Sequence, residues 1–261
     1  MNFNEKASIY DQIAMSQNEA ADVLYSDIKF FCSASPASNV LDLGCGTGYL
    51  TRKLADDFDY VTGIDTSEKM LEQAADLGGN IEYVLRDASK LNEKNEYELI
   101  TANSVTYYIP DLESAFASYY GALKNEGYLA IQSQTEVTPQ FWHAFQTLRV
   151  NDESRPFIDG YKFPANMQSQ HTLVHYMKEV GFSILLEKTI HFKTLCNVET
   201  ALAIFKSGTA TPLLNQKAYD LELTDRYIEI FWETIQKGFE NQAVDGQLLL
   251  DIPRAYIIAK K

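Results

Sequence analysis

Val40-Leu41-Asp42-Leu43-Gly44-Cys45-Gly46-Thr47-Gly48-Tyr49-Leu50 reads as a buried strand that breaks into a glycine-rich turn and then starts a helix. Gly44, Gly46 and Gly48 have no Cβ, so the turn can take φ values closed to other residues and a ligand can lie directly on its backbone. The following helix presents free N–H groups and a positive dipole end to that ligand. The spacing is G-x-G-x-G, not the G-x-G-x-x-G of dinucleotide folds. A carboxylate at Asp42, inside the strand end, is costly unless it serves a ligand or orders the loop. Cys45 reads as a small residue that fits the turn rather than a reactive thiol.

Working outward, strand and helix patterns alternate. Strands are predicted at 39–43, 60–64, 81–86, 97–103, 127–134, 182–190 and 253–259. Helices are predicted at 8–32, 47–57, 67–77, 111–123 and 170–180, with Ser67 and Asp111 as caps and Lys124-Asn125-Glu126-Gly127 as a turn. This alternation predicts an α/β fold, a doubly wound, mostly parallel sheet of seven strands with helices on both faces. Residues 136–168 and 191–250 depart from it, with helical runs near 198–206 and 224–240. With 1–32 they are expected to form helical cap insertions over the ligand edge of a single domain whose core is 37–135, 169–190 and 251–261.

The net charge is −14, with no Lys/Arg cluster. That composition argues against nucleic acid and against anionic membrane surfaces. The N-terminal stretch has no apolar core and no apolar run reaches membrane length, so a cytoplasmic protein is expected. Cys32, Cys45 and Cys196 show no paired spacing, which fits a reducing compartment.

The second strand ends at Asp65, beside the glycine turn in a parallel sheet. An acid there can accept both hydroxyls of a ribose, or cap the helix that begins after Thr66. Met70 suits either an adenine face or the core. These signals, with the glycine turn, resemble the class I S-adenosylmethionine-dependent methyltransferases over residues 39–134. The resemblance implies a Rossmann-like sheet and S-adenosylmethionine as cofactor. It places Asp42, Gly44, Cys45, Gly46, Thr47, Gly48, Asp65, Thr66 and Met70 around the nucleoside. Asp87 and Ala88 would contact the adenine, and Asn103 and Ser104 would face the methionine part.

The flanks resemble a subgroup. Tyr10-Asp11-Gln12-Ile13-Ala14 is similar to the N-terminal helix of the malonyl-acyl-carrier-protein methyltransferases, adding Tyr10 to the cofactor side. Ile204-Phe205-Lys206-Ser207-Gly208 and Pro253-Arg254-Ala255-Tyr256 resemble trans-aconitate methyltransferase. Val105-Thr106-Tyr107-Tyr108 departs from the aromatic-Gln-Trp run of those relatives, which implies a different acid. The acidity of the chain also disfavours an acidic carrier protein as partner.

The expected reaction is O-methylation of a small organic acid by in-line transfer. A carboxylate is ionised at neutral pH and needs no general base. Its charge calls for arginine, so Arg155 and Arg254 are the substrate-binding candidates, with Lys162 third. Tyr107, Tyr108, Trp142 and Tyr161 are candidate pocket rings. An N- or O-methyltransferase of an amine or aromatic metabolite is the alternative, with His143, Tyr107 or Tyr108 as catalytic groups. A non-catalytic S-adenosylmethionine-binding regulator is the further one. His171 and His175 stand at metal-ligand spacing on a predicted helix, but the surface-helix reading is preferred and no metal is expected.

Overall fold

The computed structural model describes residues 15–163 and 165–261. The expected Tyr10 contact lies outside the described residues. Among those described, the chain forms two compact units. One holds residues 15–135 together with Asn166–Ile190 and Arg254–Lys261, and the other holds Glu136–Ala165 and His191–Pro253.

The first unit is built on the sheet. Helix α1 (Met15–Phe31) leads into β1 (Asn39–Leu43), α2 (Tyr49–Ala55), β2 (Tyr60–Asp65), α3 (Glu68–Asp76) and β3 (Glu82–Leu85). Then come β4 (Tyr97–Asn103), α4 (Leu112–Ala122) and β5 (Leu123–Gln134). The seven strands run in the order β3-β2-β1-β4-β5-β7-β6, where β6 is Ser183–Asn197 and β7 is Gln247–Lys260. Neighbours from β3 through β5 pair in parallel, while β7 is antiparallel to β5. The chain winds outward through β1, β2 and β3 and restarts at β4 on the other side of β1. That reversal opens a crevice at the carboxyl ends of β1 and β4.

Burial follows from pattern. Val40, Leu41 and Leu43 point to both faces of β1 and are all buried, as a central parallel strand requires. Ala20, Leu24 and Ile28 repeat every fourth residue on α1, are buried, and pack it on β4 and β5. On the opposite face, Phe116 and Tyr119 of α4 join Leu173 and Met177 of a helix at Gln170–Val180. The expected caps form: Ser67 Oγ accepts from Met70 N at 3.3 Å and Asp111 Oδ1 from Ser114 N at 3.1 Å.

The expected turn at 124–127 lies inside β5 instead. Glu126 takes φ +66° and the β4–β5 register shifts between Tyr97 and Leu99, so the strand absorbs the irregularity as a bulge. Both last strands exceed their expected lengths, and α1, expected in the cap, groups with the sheet.

The second unit is helical. Ring contacts at 5.2 to 5.8 Å join Phe141 to Phe205, Phe141 to Phe239 and Phe205 to Phe239. These rings come from three separate helices, Pro139–Gln146, Val198–Ser207 and Asp225–Gln242, and form a core of their own.

Candidate functional site

At the end of β1 the three glycines have φ of +59°, +56° and +79°, the left-handed region that favours glycine. A Cβ on Gly44 would lie 2.4 Å from Val105 Cγ2, whereas one on Gly46 would meet nothing within 4 Å among the described residues. The loop therefore has a packed side and an open side. Cys45 N bonds Ile64 O at 2.9 Å, and a Cβ on Gly63 would stand 3.0 Å from Cys45 Sγ. Burial pushes the Cys45 thiol well up, with help from the charges of Asp42 and Asp65. It is a packed thiol rather than a nucleophile. Thr47 is buried, and its carbonyl accepts from Arg52 Nη1 at 2.6 Å.

Asp42 lies behind this loop, 2% exposed, with one oxygen 2.7 Å from Thr51 Oγ1 and the other 2.7 Å from Thr101 Oγ1. Burial raises its pKa to about 6 against the lowering effect of the two hydroxyls. Its oxygens order the loop from behind.

Asp65 faces the loop. Its carboxylate accepts from Gly46 N and Ser67 N, both at 2.9 Å. Burial raises its pKa, opposed by these backbone amides. Each oxygen keeps a lone pair for a hydroxyl. Thr66 beside it is exposed and Met70 is buried. Asp87 is exposed and accepts from Ser89 N at 2.8 Å, while Ala88 O is held by Tyr119 Oη at 2.6 Å.

At the β4 tip, Asn103 Oδ1 is buried without a hydrogen-bond partner among the described residues, while its amide nitrogen reaches Gln17 O at 3.4 Å. Ser104 takes φ +61° and bonds Gln132 Oε1 at 2.8 Å. Arg254, 3% exposed, donates from Nη1 to Ser104 Oγ at 3.2 Å. Tyr107 is buried, and burial raises its pKa, partly offset by the Arg254 charge. Tyr108 is 39% exposed, its ring 4.5 Å from that of Tyr107.

The sheet unit thus gathers Asp42, the glycines, Asp65, Asn103, Ser104, Tyr107 and Arg254. Arg155, Lys162, Trp142, Tyr161 and His143 belong to the helical unit. Arg155 pairs with Asp152 at 3.0 Å, and Lys162 lies 3.5 Å from Asp220. Trp142 packs on Phe145 and Phe163, Tyr161 on Phe145 and Tyr219, and His143 is exposed. His171 and His175 are exposed, as on a surface helix. Gln132 and Tyr256 were missed. The available signal was a glutamine and a tyrosine inside otherwise apolar strands.

The geometry suits a nucleoside bearing an ammonium. Gly46 has open space on its Cβ side among the described residues, the Asp65 carboxylate keeps lone pairs beyond its two backbone amides, and the Asn103 oxygen has no donor among the described residues. The chain is also similar to known proteins. Residues 40–127 match a family model described as a methyltransferase domain. The malonyl-[acyl-carrier protein] O-methyltransferase of Bacillus anthracis is 30% identical over 222 residues, covering 83% of this chain and 81% of that one. The trans-aconitate 2-methyltransferase of Enterobacter sp. (strain 638) is 23% identical, with 97% of each chain covered. The crystal structure of an S-adenosylmethionine-dependent methyltransferase from Mesorhizobium loti shares the fold at TM-score 0.55 and 17% identity, over 94% of this chain and 100% of that one.

Fold and site together define a Rossmann-like transferase that works on a nucleoside cofactor. The chain belongs to the class I S-adenosylmethionine-dependent methyltransferases, and S-adenosylmethionine is its cofactor. No helix among the described residues is long and apolar enough to cross a membrane.

Proposed function

We propose that this enzyme O-methylates a carboxylate of a small, free organic acid. The observation that carries the reading is Arg254. A guanidinium is buried at the carboxyl end of the sheet, beside Ser104 and Tyr107, where an acceptor binds in open α/β sheets. The two relatives are named for malonyl-acyl carrier protein and trans-aconitate, both carboxylic acids. The net charge of −14 favours a free acid over an acidic carrier protein.

In this reading Asp65 holds the ribose, Gly44 to Gly48 pass along the cofactor backbone, and Asp87 with Ala88 borders the adenine. Asn103 receives the ammonium. When bound, S-adenosylmethionine supplies a methyl group on a sulfonium, an excellent leaving group. The protein's own task is to hold the acid, strip it of water and align one oxygen. Asp42 and Cys45 support the loop without touching the chemistry. A carboxylate is already ionised, so no residue has to take its proton. Both segments of the helical unit interrupt the strand sequence of the sheet, so the chain is taken as one methyltransferase domain with insertions, working in the cytoplasm.

The test is methyl transfer from labelled S-adenosylmethionine to a panel of small acids and amines. Acid-dependent turnover giving a base-labile methyl ester supports the proposal. Turnover confined to amines or phenols, with a base-stable product, overturns it.

A further inference from the structure

Three side chains line up across β4, β5 and β7. Asn103 is the register partner of Gln132, and Gln132 that of Tyr256. Two residues further along β5, Gln134 stands opposite Arg254. Side chains of register partners share a face and lie about 5 Å apart, and alternate residues of one strand return to that face. Gln132, Tyr256 and Arg254 therefore point the same way at one end of the sheet. Ser104 confirms their proximity, since its hydroxyl bonds both Gln132 Oε1 and Arg254 Nη1, at 2.8 and 3.2 Å.

Gln132 and Tyr256 are both 0% exposed. Gln132 Nε2 and Tyr256 Oη nevertheless have no hydrogen-bond partner among the described residues. The large majority of buried polar groups in native proteins are paired. Two orphans beside one guanidinium mark a place where another molecule completes the bonding. Burial holds the Tyr256 phenol well above its ordinary pKa, against the lowering pull of Arg254 and with Asp27 and Glu19 of α1 adding to the rise. Lys188 lies 5.5 Å from the ring centre, itself paired to Asp27 at 2.7 Å. The phenol is thus a neutral donor. An amide N–H, a phenol O–H and a guanidinium together suit an anion that only accepts, such as a carboxylate.

We infer that Gln132, Tyr256 and Arg254 form an anion subsite for a carboxylate of the acceptor that is not methylated, which makes Gln132 and Tyr256 specificity-determining residues. The reason for choosing the unreactive carboxylate is electrostatic. The reacting carboxylate loses its charge as the ester bond forms. Pairing that group with a cation and two donors would stabilise the ground state more than the transition state. A second carboxylate keeps its charge throughout, so the same contacts bind substrate and transition state alike. The inference rests on the carboxylate reading and narrows it to acids with at least two acid groups.

The experiment compares the full-length enzyme with Tyr256→Phe, using S-adenosylmethionine and short dicarboxylic acids alongside their monoamides. Tyr256→Phe removes only a hydroxyl that bonds nothing among the described residues, so the fold should persist. Gln132→Met is the second variant, accepted only if its melting temperature and S-adenosylhomocysteine affinity match wild type. The expected result is a diacid preferred over its monoamide by at least 100-fold. Each variant should raise KM for the diacid about tenfold, leave kcat within twofold, and leave the monoamide unchanged. Equal KM for variant and wild type, or equal losses on diacid and monoamide, overturns the subsite while the carboxylate reading stands. If wild type methylates no acid, that reading fails, and calorimetric titration of succinate in the presence of S-adenosylhomocysteine decides the subsite alone. Binding weakened tenfold by Tyr256→Phe supports it, and unchanged or absent binding overturns it.

Discussion

Gly44 and Gly46 share a sign of φ but not a neighbourhood. An alanine at Gly46 brings left-handed strain, about 1–2 kcal/mol, and its Cβ would meet nothing within 4 Å among the described residues. At Gly44 the same strain is joined by a 2.4 Å approach to Val105, a β-branched side chain with little freedom to turn away. Gly44→Ala should therefore cost roughly 2–5 kcal/mol. Gly46→Ala should keep most of its stability and lose at least tenfold in S-adenosylmethionine affinity, since the new methyl enters the open side of the loop. Thermal melts and calorimetric titration of both variants check this, and equal melting temperatures would refute it. The glycine turn and Asp65 were legible in the sequence because their chemistry is local. Of the subsite only Arg254 was. Ser104 and Arg254 are 150 residues apart, and only the β4–β5–β7 register brings them together. Periodicity identifies a strand but does not name its neighbours.

Between elements, Asp42 is the fastener. It ties β1 to α2 through Thr51 and to β4 through Thr101. Its folded pKa of about 6 stands above the value near 4 of an unfolded chain. The folded protein therefore binds more protons between those values, and stability falls as pH rises from 4 to 6. The full penalty, about 3 kcal/mol, applies above that window. Asp42→Asn removes the titration. Wild type should thus lose stability relative to the variant as pH climbs from 4 to 6, with a constant difference from 6.5 to 8. Denaturant unfolding at stepped pH measures it, and parallel curves would exclude the linkage. The sequence marked Asp42 as costly and left two reasons open, a ligand or the loop. The two threonines favour the loop. Element ends were less legible. β6 alternates polar and apolar residues past Ile190, and the bulge at Glu126 disguised the start of β5 as a turn.

The whole molecule carries a charge of −14, yet the proposed acceptor is an anion bound beside a buried arginine. These two fields act over different ranges. At 10 mM salt the Debye length is about 30 Å, so an approaching acid meets the repulsion of the entire surface. At 150 mM it is about 8 Å, so the distant charges are screened, while Arg254, shielded from solvent, acts on a bound carboxylate almost unchanged. The kcat/KM for a dicarboxylic acid should therefore rise severalfold between 10 and 150 mM salt, through KM rather than kcat. A cationic amine would behave in the opposite way, drawn in at low salt and released from that attraction as salt increases. The sign of the salt dependence thus discriminates the acid from the amine reading without knowledge of the natural substrate. Initial rates for both acceptor types across that salt range make the measurement. A kcat/KM for acids that falls with salt would mean that a local positive field outweighs the surface, and would rule out long-range repulsion as the force that governs the approach of the acid.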